Sequence, residues 1–210
     1  MSPFRAGFVY GTVAVAVAIV GNLYFLFLDP GETQEWILAA VGTFLLPLRL
    51  TVYLFLGILA ALRTRPKRLD PEVPYRSLLL RDAALAGTVV GVMAGITVLL
   101  MTALQATFLA DDMRYFAREA APRVASYVNE ERQILSNPPP PATAEEVEGT
   151  FQPPELRDLG RSTGNLVIGT ILLGAGGALV GALRGSFGSD RETERPSEEK
   201  SQDEQRGAQR

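Results

Sequence analysis

The chain has 210 residues, 47% hydrophobic and 20% charged, with a formal net charge of -3 and neither His nor Cys. That composition excludes thiol and imidazole nucleophiles, imidazole acid–base chemistry, His/Cys metal sites and disulfides. The small net charge says nothing about partners, because it sums loops of opposite sign and a mixed-charge tail.

Four apolar runs follow one another, at about residues 7–28, 36–62, 83–110 and 163–183. Each reaches the ~20 residues a helix needs to cross hydrocarbon. Lipid offers no water to backbone N–H and C=O groups, so each run must close its hydrogen bonds internally as a helix. Period-2 alternation of the barrel kind is absent. The sequence therefore predicts an all-α, polytopic membrane protein with four transmembrane helices.

The first run has Arg5 before it and ends in Asp29-Pro30-Gly31-Glu32. Its apolar stretch exceeds the 7–15 residues usual for a signal peptide, and no small-residue cleavage site follows, so it reads as a retained anchor. The loop after it holds Asp29, Glu32 and Glu35 and no base. The loop after the second run holds Arg63, Arg65, Lys67, Arg68, Arg76 and Arg81. Basic residues in short loops stay on the cytoplasmic side, which places this loop, and with it both termini, inside. Arg184 closing the fourth run agrees. Pro66, Pro71 and Pro74 keep the basic loop from being one continuous helix. The run Arg63-Thr64-Arg65-Pro66-Lys67-Arg68 is topogenic and sits against lipid head groups; a nucleic-acid partner is not expected of so short a patch.

The second run carries Arg49 thirteen residues from Trp36 and thirteen from Leu62. A central Arg costs about 2.5–3.5 kcal/mol on insertion scales, and an intramembrane charge calls for a named partner. No acid lies inside the four runs. Helical side chains lean toward their own N-terminus, so the guanidinium should rise toward the level of Asn22 and Gln105. Asn22, Gln105 and Arg49, with Pro47, form the candidate intramembrane polar site. Pro47 lacks an N–H and frees the Thr43 carbonyl, which should bend the helix. Arg49 either snorkels and bonds within the bundle, or meets an acid of a second membrane protein, a bound anion or a lipid phosphate.

Small residues recur every fourth position: Gly87, Gly91 and Gly95 in the third run, Gly177, Gly181 and Gly185 in the fourth, and Gly7, Gly11, Ala14, Ala18 and Gly21 in the first. Such faces let helix backbones approach closely, within the bundle or between copies in a homo-oligomer. The Gly174-Ala175-Gly176-Gly177 string is not a nucleotide turn, since Leu179 stands where a third glycine belongs. With no cofactor motif elsewhere, none is expected.

From Asp111 the pattern becomes amphipathic, with Met113, Phe116, Ala117, Ala120, Val124 and Val128 at three- and four-residue steps. This predicts a helical insert over 111–162, restarted at Pro122, that covers the outer ends of the spans, lies on the membrane or meets a partner. Its six Arg are outnumbered by ten acids. Asn137-Pro138-Pro139-Pro140-Pro141 stops any helix, and Thr143 with Glu146 has the spacing of a capping box over a short turn at 144–148. The tail 186–210 is dense in mixed charge and should not fold. Lys67 and Lys200 are the two lysines among 20 basic residues, an Arg preference that suggests a GC-rich, bacterial coding sequence.

The layout resembles an uncharacterised family of bacterial four-span membrane proteins, a group defined by a domain of unknown function. The resemblance rests on Tyr10-Gly11 opening the first span, the basic loop after the second, the helical insert after Phe108 and the glycine-rich last span. It implies the four-span fold and brings no activity. The sequence reading is thus a non-catalytic scaffold or accessory subunit of a bacterial cytoplasmic membrane, the alternative being a small transporter or channel subunit in which Arg49 meets an anion.

Overall fold

The computed structural model describes residues 1–65 and 74–192, the side chains of 187–192 excepted. It is all-helical, and four of its helices are long and apolar enough to cross a membrane. They are α1 (Pro3–Asn22), α3 (Glu35–Arg63), α4 (Tyr75–Thr107) and α7 (Asp158–Glu192). Three shorter or amphipathic helices complete the order: α2 (Tyr24–Phe27), α5 (Ala110–Gln133) and α6 (Ala144–Phe151).

Pro3 sits in the first turn of α1, where its missing N–H breaks no hydrogen bond, and Pro74 immediately precedes α4. Pro66 and Pro71, Lys67 and Arg68, and the tail beyond Glu192 lie outside the described residues. Neighbouring pairs give the packing directions. Gly7 lies beside Ala86 and Val89, and Gly11 beside Met93, so α1 and α4 run parallel. Gly87, Gly91 and Gly95 face Leu173, Thr170 and Leu166 in turn, so α7 runs antiparallel to α4. The Met1 amine donates to the Arg63 carbonyl at 3.1 Å while Gly21 meets Arg49, so α3 is antiparallel to α1. The bundle goes up, down, up, down.

Two apolar cores result. The first joins Ala14 and Ala18 of α1, Tyr53, Leu56 and Ala60 of α3, and Ala86, Val90 and Ala94 of α4, with Leu173 of α7 against it. The second lies past the end of α1 and joins Phe25, Leu38, Met113, Phe116, Val124 and Phe151. Here the first half of α3 serves as a post for α5 and α6. Tyr24, Phe116 and Phe151 meet edge-on with centroids 5.5 and 5.7 Å apart, the geometry that aromatic quadrupoles favour. Arg123 ties α5 to the acidic loop, donating to the carbonyls of Pro30 and Gly31 (2.8 Å to the latter) and pairing with Glu35 at 3.6 Å.

Several boundaries differ from the sequence reading. The first run does not stay helical to Leu28. It breaks at Leu23, where the Leu26 N–H bonds the Leu23 carbonyl and so leaves that of Asn22 to another donor. α4 begins eight residues before the expected start and takes in Asp82, which is buried. An acid therefore does lie inside a spanning helix, next to Arg81 at 3.3 Å. α5 runs unbroken through Pro122. Both Pro122 and Arg118 face solvent, so the carbonyl that Pro122 leaves unbonded stays open to water. α3 likewise passes through Pro47 without interruption. The predicted turn at 144–148 is an eight-residue helix with both bonds of its capping box formed. α7 continues to Glu192, past the expected boundary at 186, and no proline within it interrupts the helix.

Candidate intramembrane polar site

α1 ends where its last carbonyls meet side chains from two other helices. The final turn of any helix leaves carbonyls without an intrahelical N–H. Gln105 Nε2 of α4 donates to the Asn22 carbonyl at 2.5 Å, and Arg49 Nη1 of α3 donates to the Gly21 carbonyl at 3.2 Å. Asn22 Nδ2 turns back to the Ala18 carbonyl at 2.7 Å. A cation at this position also faces the negative end of the helix dipole. The partners expected for Arg49 are thus beside it, but its hydrogen bond goes to the Gly21 backbone and to neither amide side chain. A Cβ on Gly21 would stand 2.5 Å from Arg49 Cδ, so a larger residue here would displace the Arg49 side chain. Pro47 takes no part in the polar layer; it is exposed, and its carbonyl accepts from Thr51 Oγ1 at 2.9 Å.

Depth is what the sequence does not reveal. Arg49 is central in α3, yet its guanidinium is level with the end of α1. α1 is 20 residues long, about 30 Å, which matches the hydrocarbon thickness. The polar layer therefore lies at the end of α1, between the two apolar cores. Tyr24 and Tyr53 lie within electrostatic range of the guanidinium. Tyr53 is 8% exposed, and its hydroxyl has no partner among the described residues. Tyr53 was not among the residues singled out from sequence; its place four residues after Arg49, on the same helical face, is the signal that marks it.

At the other end of the bundle, Arg184 Nη1 of α7 donates to the Ala61 and Thr64 carbonyls at 3.0 and 3.1 Å, closing the end of α3 as Arg49 and Gln105 close that of α1.

The six candidate packing glycines all fall on the α4–α7 contact. A Cβ on Gly87 would strike the Leu173 carbonyl, and one on Gly177 the Ala83 carbonyl. On Gly91 and Gly181 it would lie 2.8 and 2.7 Å from the Cα atoms of Thr170 and Leu80. Gly95 and Gly185 meet side chains instead, Leu166 Cγ and Arg76 Cγ, each at 2.7 Å. Gly57 and Gly42, unremarked in the sequence, allow the approach of Leu173 and Phe151.

No family model, no curated protein and no solved structure matches this chain.

Proposed function

We propose that this is a non-catalytic, multi-pass protein of a bacterial cytoplasmic membrane, with both termini in the cytoplasm, acting as a scaffold or accessory subunit through helix–helix contacts. The observation that supports this reading is the use made of its intramembrane polar groups. Gln105 of α4 and Arg49 of α3 each donate to a carbonyl of α1 and so tie these helices together, while Asn22 bonds within α1. The glycine faces of α4 and α7 are filled by each other. Among the described residues, the lobe of α5 and α6, on the extracytoplasmic side in this orientation, offers a partner a surface outside the four spans. It carries a mixed-charge cleft lined by Arg114, Arg118, Glu148 and Glu155. The resemblance in layout to the uncharacterised four-span family fits this reading and adds no activity.

The test is affinity purification from native membranes with the wild type and an Arg114→Glu/Arg118→Glu variant, paired with solute flux in proteoliposomes. The reading expects a stoichiometric membrane partner that the variant loses, and flux equal to that of empty vesicles. A substrate-specific flux abolished by Arg49→Leu overturns it in favour of transport.

A further inference from the structure

We propose that the cleft between α5 and α6 binds a small zwitterion of the α-amino-acid kind, its carboxylate on Arg118 and its ammonium on Glu148. The inference goes beyond the scaffold reading. Ligand binding is read on purified protein and partner capture in native membranes, so either can fail without the other.

The walls come first. Arg114 and Arg118 stand one turn apart on one face of α5. Glu148 of α6, with Gln152, Pro153 and Glu155 of the segment after it, completes the lining. Contacts outside the cleft hold both walls. Phe116 meets Phe151 edge-on, and Asn129 clasps Ala142, donating to its carbonyl at 2.9 Å and accepting from its N–H at 2.7 Å. Beyond α6, the Glu155 N–H donates to Asp158 Oδ2 at 2.8 Å. Walls fixed without a ligand reduce the ordering cost of binding one.

Charge comes second. Arg114 is engaged by Asp111 at 2.7 Å, and Glu155 by Arg157 at 2.9 Å. Arg118 and Glu148 line the same cleft, yet among the described residues neither has an ion-pair partner, and they stand too far apart to pair with each other. A simple anion in this gap meets the repulsion of Glu148, and a simple cation that of Arg118. A molecule carrying both charges satisfies both. The guanidinium fork of Arg118 matches a carboxylate. An ammonium has three N–H donors, which the Glu148 carboxylate and the Gln152 side-chain oxygen can accept.

Size comes third. The cleft has a volume of about 220 Å³, below the ~300 Å³ at which pockets for drug-sized ligands begin. Its occupant is therefore small. Arg118 is exposed and Glu148 half-buried, so solvent screens the contacts and the affinity should be about millimolar.

The experiment is saturation-transfer NMR and calorimetric titration of the purified full-length protein. The probes are glycine, serine and leucine, with acetate and methylammonium as half-ligands. The three amino acids should bind saturably and compete for one site, and each half-ligand should bind several-fold more weakly than glycine. Arg118→Gln and Glu148→Gln should each weaken glycine binding about fivefold or more, as expected for losing a partly screened charge contact. Arg118→Glu should abolish binding, and Arg118→Glu/Glu148→Arg should restore it, since a zwitterion can turn round. Glu130→Gln/Glu131→Gln, altered outside the cleft, should bind as the wild type does. Absence of saturable binding by all three amino acids overturns the proposal. So does acetate binding as tightly as glycine, which would mark an anion site, and so does equal binding by the wild type and both single Gln variants.

Discussion

Replacing Gly181 by Ala tests the backbone-to-backbone contact of α4 and α7 directly. The added Cβ would lie 2.7 Å from Leu80 Cα and 2.9 Å from the Leu79 carbonyl oxygen. Neither atom can rotate away, because both belong to the backbone of α4. Carbon atoms prefer about 3.5–4.0 Å, so the helices must part by about 1 Å, which forfeits a quarter to a half of the dispersion energy of the atoms separated. Overpacking of this kind costs about 1–3 kcal/mol. The better helix propensity of Ala offsets up to about 1 kcal/mol. The net expectation is a loss of about 1–2 kcal/mol, a factor of roughly 5–30 in the folding equilibrium. Gly164→Ala is the matched control, since nothing lies within 4 Å of its added Cβ; it should be neutral or stabilising. The chain has no Cys, so fluorophores attached to Phe108→Cys and Arg161→Cys can report helix separation by energy transfer during a denaturing-detergent titration. If Gly181→Ala proves as stable as Gly164→Ala, the close approach of the two backbones is wrong.

Gln105→Leu leaves the Asn22 carbonyl without its donor and should destabilise the bundle by about 1–3 kcal/mol, read in the same titration; unchanged stability would mean that lipid or water replaces the amide without penalty. Phe151→Ala empties the slot over Gly42 beside Phe116 and should cost the outer core about 3–5 kcal/mol. Its signature is faster proteolysis around 137–141, with the four spans still protected; simultaneous loss of the spans would show that the two cores unfold as one. Reporter fusions after Leu62 and Leu183 should be active in the cytoplasm, and those after Leu28 and Ala110 outside it. Cytoplasmic activity at Ala110 would reverse the orientation.

Much of the fold was legible because it depends on quantities that add along the chain. Span length, apolar content and the capping box at Thr143 and Glu146 are local, and so is the amphipathic stripe through Phe116 and Val124. The misplaced boundaries arise where tertiary contacts override that local signal. Residues 23–28 are as apolar as those before them, yet Gln105 takes the Asn22 carbonyl and the helix breaks. Pro122 looks like a stop in sequence and is harmless on an exposed face. Asp82, one residue outside the apolar run, is drawn into α4 because a helix continues past the hydrocarbon as long as nothing ends it.

The sequence by itself determined that four segments are helices long and apolar enough to cross lipid, since transfer into hydrocarbon is a sum over each segment's own residues. Only the tertiary structure decided which carbonyl Arg49 would meet, which backbone each glycine would admit, and that the middle of α3 would stand level with the end of α1. Those are properties of pairs of helices, set by lateral packing and tilt, and no single segment contains them.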